Sequence, residues 1–236
     1  MRLDKFLADV GLGSRKEVKA LIKKGHIKVN DQTVKSDKFQ VDEWADQVTY
    51  EGEQFIYQKD FYYILNKPAG VISATQDNYD QTVLDLFDDT SYREDLFPVG
   101  RLDKDTEGLL LLTNDGKFSH QLMSPKQKVA KKYYVEVSAH ISDDAIDIFK
   151  AGIDLGDFTS SPSELEIVEN GEESIAYVTI YEGKFHQVKR MFHAIGCEVT
   201  YLKRVQIADL ELDERLEFGE YRHLLEEDFK LLNLSV

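Results

Sequence analysis

The first 40 residues place apolar side chains at helical spacing, with glycines between the segments. One helix is predicted by four apolar residues that recur at i, i+3, i+4 and i+7: Leu3, Phe6, Leu7 and Val10. A second helix begins at Ser14 and Glu17, which have the spacing of a capping box, and its buried stripe is Val18, Leu21 and Ile22. Glycines at positions 11, 13 and 25 end the two helices. A short strand and turn follow, so the sequence predicts a small module of two helices and short strands.

Beyond residue 60 the pattern changes to apolar runs and alternation, which are typical of strands. Residues 61–65 and 109–112 are apolar runs bounded by turn residues, and the turn at 66–70 reads as structural because of its proline and glycine. Residues 131–137 alternate, which puts Tyr133 on the apolar face and Tyr134 on the other. Val188, Met191 and Phe192 then form a helical stripe that has Lys189 at its border and His186 and Arg190 opposite. The sequence therefore predicts a larger domain of strands with some helices.

A short polar stretch just before the second apolar run concentrates charge. Residues 100–107 contain three carboxylates, Asp103, Asp105 and Glu107, and two cations. A charged segment at the rim of a buried strand can be held rigidly at the mouth of a cleft. Acidic turns are more often simply solvated, and the spacing does not indicate which carboxylate matters. The residues alone leave both interpretations open.

Composition excludes several classes of protein. The single cysteine excludes an intrachain disulfide and a multi-cysteine zinc site, and the six scattered histidines suggest no metal site. No apolar run approaches the ~20 residues of a membrane span, and no secretory signal is visible, which predicts a cytoplasmic protein. The net charge of −15 is unevenly distributed, because residues 1–40 hold ten Lys or Arg and only five Asp or Glu. A small basic module thus precedes an acidic body, which leaves a nucleic-acid partner possible.

The stretch Gly100-Arg101-Leu102-Asp103, followed by Thr106 and by Gly108-Leu-Leu-Leu-Leu-Thr-Asn-Asp-Gly116, resembles the signature of the RsuA family of ribosomal RNA pseudouridine synthases. The resemblance implies that Asp103 is the catalytic nucleophile. The segment 131–137 is similar to the family's Lys-Thr-Tyr motif, which implies that Tyr134 packs on the target uracil. The segment 182–192 is similar to a third motif, which implies that Lys189 is a catalytic cation beside Asp103. Arg101 and Arg190 are the candidate substrate-binding residues, although Arg101 could equally form a salt bridge within the acidic loop.

The beginning of the chain is similar to the S4 RNA-binding domain that precedes many synthases of this family. The resemblance implies that five residues face RNA phosphates: Arg2, Ser14, Arg15, Lys16 and Lys19. A basic helix face is more often merely solvated, so pattern alone would not assign this role. Phosphate contacts position a substrate without choosing its base, so this module would dock the RNA and the second domain would perform the chemistry.

These features predict an α+β fold with two domains. The first, 1–55, is an S4 (αL-type) RNA-binding module. The second, 60–236, is a pseudouridine synthase domain with a mixed, mostly antiparallel sheet and flanking helices. The linker between them is expected within residues 51–60.

The predicted function is isomerisation of one uridine to pseudouridine in ribosomal RNA, with small-subunit (16S) RNA or its precursor particle as the partner. The sequence of residues 185–192, Phe-His-Gln-Val-Lys-Arg-Met-Phe, resembles that of the family members that act on small-subunit RNA. The reaction needs no redox step or group donor, so neither cofactor nor metal is expected, and the protein is expected to be a monomer without membrane contact. The alternatives are a non-catalytic RNA-binding or ribosome-assembly factor, the same chemistry on large-subunit RNA, and a hydrolase that uses Asp103 with Asp105.

Overall fold

The computed structural model describes residues 1–89 and 91–233, and it divides the chain into two compact units, Met1–Asp60 and Phe61–Val236. Each unit has its own hydrophobic core. In the described residues no helix combines the length and the apolar character needed to cross a membrane.

Unit 1 packs two helices against a four-stranded antiparallel sheet with the order β2-β1-β3-β4. Its elements are α1 (Leu3–Asp9), α2 (Arg15–Lys24), β1 (Ile27–Val29), β2 (Gln32–Thr33), β3 (Val48–Tyr50) and β4 (Glu53–Phe55). The Ser14 hydroxyl accepts from the Glu17 N–H, the Glu17 carboxylate accepts from the Ser14 N–H, and Gly25 ends α2 in the left-handed conformation. The predicted capping box is thus present. The segment expected to begin the linker instead forms β4, which pairs with β3.

Unit 2 is built on one large mixed sheet with the strand order β13-β5-β7-β11-β8-β10-β9, to which β6 and β12 add at the sides. The strands are β5 (Tyr62–Lys67), β6 (Phe97–Val99), β7 (Glu107–Thr113), β8 (Lys131–Val137), β9 (Glu164–Glu169), β10 (Ser174–Ile180), β11 (Val199–Ile207), β12 (Leu210–Glu211) and β13 (Tyr221–His223). Among the described strands only β7 and β11 pair in parallel. The predicted α+β fold, with its mixed and mostly antiparallel sheet, is confirmed.

Helices cover both faces of the central strands. They are α3 (Gly116–Met123), α4 (Ala145–Ala151), α5 (Gln187–Ala194) and α6 (Glu226–Leu231), with 3₁₀ turns at Val83–Leu86 and Pro125–Gln127. Strand β7 is buried on both sides: Leu110 and Leu112 belong to the core that includes α4 and α5, and Leu109 and Leu111 to the core that includes α3. This double burial explains why β7 reads as an uninterrupted apolar run.

The close approach of β7 and β11 depends on a glycine. Gly108 has φ +100° and pairs with Arg204 of β11, and a Cβ at this position would lie 2.2 Å from the Arg204 carbonyl oxygen. No other residue fits there without moving one strand. The start of β7, and with it the loop that carries Asp103, is thereby fixed against β11.

Candidate active site

Asp103 lies at the edge of a pocket above the central sheet. The floor is formed by side chains of β8, β10 and β11, and the walls by the loop that precedes Asp103 and by the segment that leads into α5. We call this cavity the Asp103 pocket; it is lined by residues 100–103, Thr106, Met123, Lys131, Tyr133, Ile180, Gly183, Lys184, residues 186–188, Leu202 and Arg204. Its volume is ≈ 110 Å³. A cavity of about 150 Å³ accommodates benzene, so the pocket is on the scale of a single six-membered ring.

The backbone on both sides of Asp103 is held by hydrogen bonds. The Ser73 hydroxyl donates to the Leu102 carbonyl at 2.9 Å and accepts from the Leu102 N–H at 3.0 Å. After Asp103, the Gly70 N–H donates to the Lys104 carbonyl at 2.7 Å. The backbone that carries the Asp103 carboxylate is therefore held in place at the pocket, which helps to position a reacting group.

Lys67, at the end of β5, is the central support of this loop. Its side chain is 0% exposed, and Nζ donates to the carbonyls of Pro68 at 2.9 Å, Thr106 at 2.8 Å and Lys104 at 3.4 Å. Burial lowers the pKa of Lys67 to about 8, even though nearby carboxylates oppose the effect. Its contacts with the loop are to backbone carbonyls, in line with the structural interpretation of the turn at 66–70.

Two basic side chains flank the Asp103 carboxylate. Lys189 Nζ lies 3.4 Å from Asp103 Oδ2, and His186 Nε2 lies 3.6 Å from Asp103 Oδ1. Lys189 also donates to Asp105 Oδ1 at 2.6 Å, and this hydrogen bond lowers the pKa of Asp105. The structure thus brings Lys189 and Asp103 together and gives Asp105 the role of a second anchor for Lys189. Sequence reasoning assigned no role to His186, which it placed on the far side of the helix.

The structure places Tyr133, and not Tyr134, at the Asp103 pocket, which corrects the sequence-based assignment. Tyr133 is buried on the face of β8 that forms the pocket floor. Tyr134 points to the opposite face, where its hydroxyl donates to Glu136 at 2.9 Å and its ring lies between those of Tyr177 and Tyr201. The alternation was predicted correctly, but the face of β8 that lines the pocket carries Tyr133 and not Tyr134.

The two candidate substrate-binding arginines have different surroundings. Arg101 is exposed at the pocket and forms no ion pair with any residue in the described part of the chain, so the alternative salt bridge within the acidic loop is not formed. Arg190 does not line the pocket. It pairs with Asp157, donates to the Leu155 carbonyl at 2.8 Å and lies over the Phe158 ring. Neighbouring residues of a helix point about 100° apart, which turns Arg190 away from Asp103.

The predicted RNA-facing residues of unit 1 divide into two groups. Arg15 and Lys16 are exposed on α2, as the basic-face prediction requires. Arg2 and Lys19 instead converge on the buried Asp4, at 2.9 and 3.6 Å, although both remain about 40% exposed. The Ser14 side chain is engaged in the capping box, so its role in unit 1 is to begin α2.

Two further polar groups of the pocket were given no role by the sequence, although Thr106 stands within the quoted motif. Thr106 and Arg204 are buried and line it together with Asp103. Arg204 could have been found from the sequence, because it stands two residues after Leu202 and so shares the inward face of the same strand. The described residues contain no group of three or more His, Cys, Asp or Glu side chains arranged to hold a metal ion.

Comparison with known proteins agrees with this geometry. Residues 61–194 match the family model described as RNA pseudouridylate synthase, and residues 1–44 match the S4 domain. The chain belongs to the RNA pseudouridine synthase family. The predicted enzyme class and the S4 module are thereby confirmed, and the substrate class of the synthase is RNA. The RsuA-type resemblance is confirmed by a small-subunit relative that is 43% identical to the chain.

Relatives cover nearly the whole length of the synthase. The ribosomal small subunit pseudouridine synthase A of Vibrio cholerae is 43% identical over 97% of both chains. The ribosomal large subunit pseudouridine synthase B of Bacillus subtilis is 38% identical, over 98% of the synthase and 95% of the relative. A crystal structure of a pseudouridylate synthase is 36% identical, with a TM-score of 0.69, and covers 98% of the synthase and 99% of the solved chain.

Proposed function

We propose that this synthase converts one uridine of small-subunit ribosomal RNA into pseudouridine, with Asp103 as the nucleophile. The observation that carries the proposal is the Asp103 carboxylate, fixed by its backbone at the edge of a pocket sized for one ring and flanked by Lys189 at 3.4 Å. Small-subunit RNA is proposed because the Vibrio cholerae relative named for that subunit is 43% identical over nearly the full chain.

Different residues bind the base, place charge beside the nucleophile and hold the RNA. The target base must leave its stack to reach Asp103, which costs a few kcal/mol that contacts in the pocket offset. Tyr133 and Leu202 provide an apolar floor for the flipped base, and Lys189 places a positive charge beside the carboxylate. Uracil then detaches from the ribose, turns within the pocket and rejoins through carbon 5. Arg15 and Lys16 on α2 supply phosphate contacts that hold the RNA without selecting the base.

Mapping of pseudouridines in ribosomal RNA by carbodiimide chemistry tests the proposal. RNA is compared between cells that lack the synthase and cells complemented with wild type, Asp103→Asn or Asp143→Asn, the last being an exposed carboxylate of unit 2 outside the pocket. We expect one small-subunit site that disappears on deletion and returns with wild type and Asp143→Asn only. Restoration by Asp103→Asn would refute the nucleophile assignment, and Asp103→Asn protein should still bind the RNA.

A second candidate substrate is large-subunit ribosomal RNA, favoured by the 38% identity to the large-subunit synthase of Bacillus subtilis. The same mapping separates the two, because the lost site would then lie in large-subunit RNA. If no site changes in either RNA, both ribosomal substrates are refuted. We further propose that the synthase acts as a cytoplasmic monomer, which size-exclusion chromatography and cell fractionation test.

A further inference from the structure

Two buried polar atoms at the Asp103 pocket find no hydrogen-bond partner among the described residues: Thr106 Oγ1 and Arg204 Nη2. The two residues are 1% and 2% exposed, and both line the pocket. A buried polar group without a partner is destabilising, and such groups are uncommon in folded proteins. Their presence at the same pocket as the candidate nucleophile indicates that a polar ligand completes them.

Arg204 is held so that its free nitrogen has a defined direction. Its Nε donates to the Leu109 carbonyl of β7 at 2.8 Å. On the other side, Arg204 is in register with Tyr133 of β8, which places the two residues on the same face of the sheet, and both line the pocket. A guanidinium anchored by one nitrogen presents its remaining N–H groups in a rigid plane. The donor is therefore preorganised before the ligand arrives.

The floor also carries more positive than negative charge. Lys131 is 6% exposed and lines the pocket with Arg204, and its Nζ donates to the Val129 carbonyl at 3.2 Å. Burial lowers the pKa of Lys131 to about 8, and the nearby Arg204 acts in the same direction. Glu182 is the carboxylate that opposes this effect, and it already accepts from Ser161 and Gln187. Such a floor favours an acceptor that gains negative charge.

We propose that Arg204 contacts the target base by donating a hydrogen bond from Nη2 to the oxygen on carbon 4 of uracil, with the Thr106 hydroxyl placed to accept from N3–H. Cytosine has an amino donor on carbon 4 instead of an oxygen. The same contact would therefore select uracil over cytosine, because cytosine would leave two donors facing each other. The inference rests on the proposed function, in which the Asp103 pocket holds the flipped uracil.

The same contact assists the reaction itself. When the bond between ribose carbon 1′ and N1 breaks, its electron pair stays on uracil and is shared among N1 and the two carbonyl oxygens. That pair forms the new bond from carbon 5 to ribose carbon 1′, which releases any carboxylate bonded to carbon 1′. Carbon 5 then gives its proton to water and N1 takes up a proton, so the isomerisation is balanced overall. Attack of a carboxylate at carbon 6 would likewise move charge to the oxygen on carbon 4. A fixed donor aimed at an oxygen that gains charge stabilises the transition state more than the ground state.

A substrate-side substitution tests the contact without altering the protein. The assay uses an RNA transcript that contains the mapped uridine, with that base replaced by 4-thiouridine or, as the matched control, by 2-thiouridine. Sulfur is a weak acceptor, so we expect wild type to convert the 4-thio RNA about 10- to 100-fold more slowly than the 2-thio RNA, the range of a charged hydrogen bond. Arg204→Gln should lose activity on unmodified RNA by a similar factor and show no preference between the two thio RNAs.

Two further variants complete the test. Arg215→Gln, an exposed arginine outside the pocket, should keep the wild-type ratio. Arg204→Lys retains a cation without the planar set of donors, so it should convert the two thio RNAs at similar rates. If Arg204→Gln does not fold, the inference is tested by the ratio of the two rates measured for wild type. Equal rates of wild type on the two thio RNAs, or a preserved ratio in a folded Arg204 variant, would overturn the inference. Failure of wild type on unmodified RNA would instead count against the proposed function.

Discussion

Replacing Lys67 by methionine should separate the stability of the synthase from its activity. Lys67 is fully buried and donates to three backbone carbonyls around the loop that carries Asp103. Methionine has a similar length and keeps the apolar packing of the stem, but it cannot hold the loop. The substitution therefore removes the anchor of the candidate nucleophile while leaving the core filled.

The free energy of unfolding should change little, because two opposing effects nearly cancel. Burial holds the pKa of Lys67 at about 8 against an ordinary value of 10.5, which corresponds to a cost of about 3 kcal/mol for keeping the charged form inside. Methionine removes that cost, but it leaves the buried Thr106 carbonyl without its donor, at about 1–3 kcal/mol. Exchange of a buried ion for an apolar residue is often close to neutral. We expect the free energy of unfolding to change by less than about 2 kcal/mol.

The effect on catalysis should be much larger. A misplacement of a reacting group by about 1 Å can cost on the order of 100-fold in rate, so we expect kcat on the mapped RNA to fall by about that factor. RNA affinity should be retained, because Lys67 does not face solvent. Lys117→Met, an exposed lysine at the start of α3, serves as the control and should leave kcat unchanged.

The pH dependence of stability gives an independent check. The folded-state pKa of Lys67 lies below its unfolded value, so between pH ~8 and ~10.5 the unfolded chain binds a proton that the folded chain does not. The stability of wild type relative to Lys67→Met should therefore increase by about 2 kcal/mol between pH ~7.5 and ~9.5, and decrease again as the pH falls. Unfolding should be followed by tyrosine circular dichroism, because the single tryptophan, Trp44, lies in unit 1.

Two results would refute this reasoning. Unchanged kcat in Lys67→Met would show that the three carbonyl bonds do not position Asp103. A relative stability that is flat with pH, or that falls as the pH rises, would show that Lys67 is not a buried cation whose charge opposes folding.

Two further predictions concern backbone geometry. Gly108→Ala should destabilise unit 2 by about 2 kcal/mol or more, because the added Cβ would collide with the Arg204 carbonyl and because φ is positive; Gly116→Ala, which has open space at a helix start, should be neutral or stabilising, and thermal unfolding distinguishes the two. Ser14→Ala should destabilise unit 1 by about 1 kcal/mol through loss of the capping box, as measured by Trp44 fluorescence, and a change of less than a few tenths would contradict the capping role.

The helices of unit 1 could be predicted from sequence because their signals are local. Helical spacing of apolar residues and the Ser14–Glu17 pair define the first two helices without reference to any distant part of the chain. Because these signals are local, they did not reveal that Arg2 and Lys19, which were assigned to RNA, also pair with Asp4. Their shared partner Asp4 is buried, and burial of a carboxylate within an apolar helix face cannot be read from spacing.

The catalytic loop was located through its motif, but the two adjacent tyrosines show where a motif is insufficient. Alternation along β8 correctly put Tyr133 and Tyr134 on opposite faces. Which face forms the pocket depends on β10 and β11 pairing with β8, and on α5 lying across the resulting floor. These pairings join residues that are tens of positions apart. The local pattern therefore cannot indicate which of the two tyrosines faces the pocket.

Lys67 and Arg204 illustrate the same limit for buried cations, and also a way to reduce it. Lys67 bonds to Thr106 across 39 positions, and Arg204 to Leu109 across 95, so no window of sequence contains either contact. Lys67 nevertheless ends a strand whose preceding residues on the same face, Leu65 and Tyr63, are buried and mainly apolar. Arg204 likewise follows the buried Leu202 two positions earlier in β11. A cation at an inward strand position carries a desolvation cost that only a polar partner can offset. In this synthase one cation is satisfied by the loop of the candidate nucleophile, and the other retains a donor for a ligand. An inward cation on a strand near a catalytic motif is therefore, on sequence alone, a candidate for a supporting or base-contacting residue.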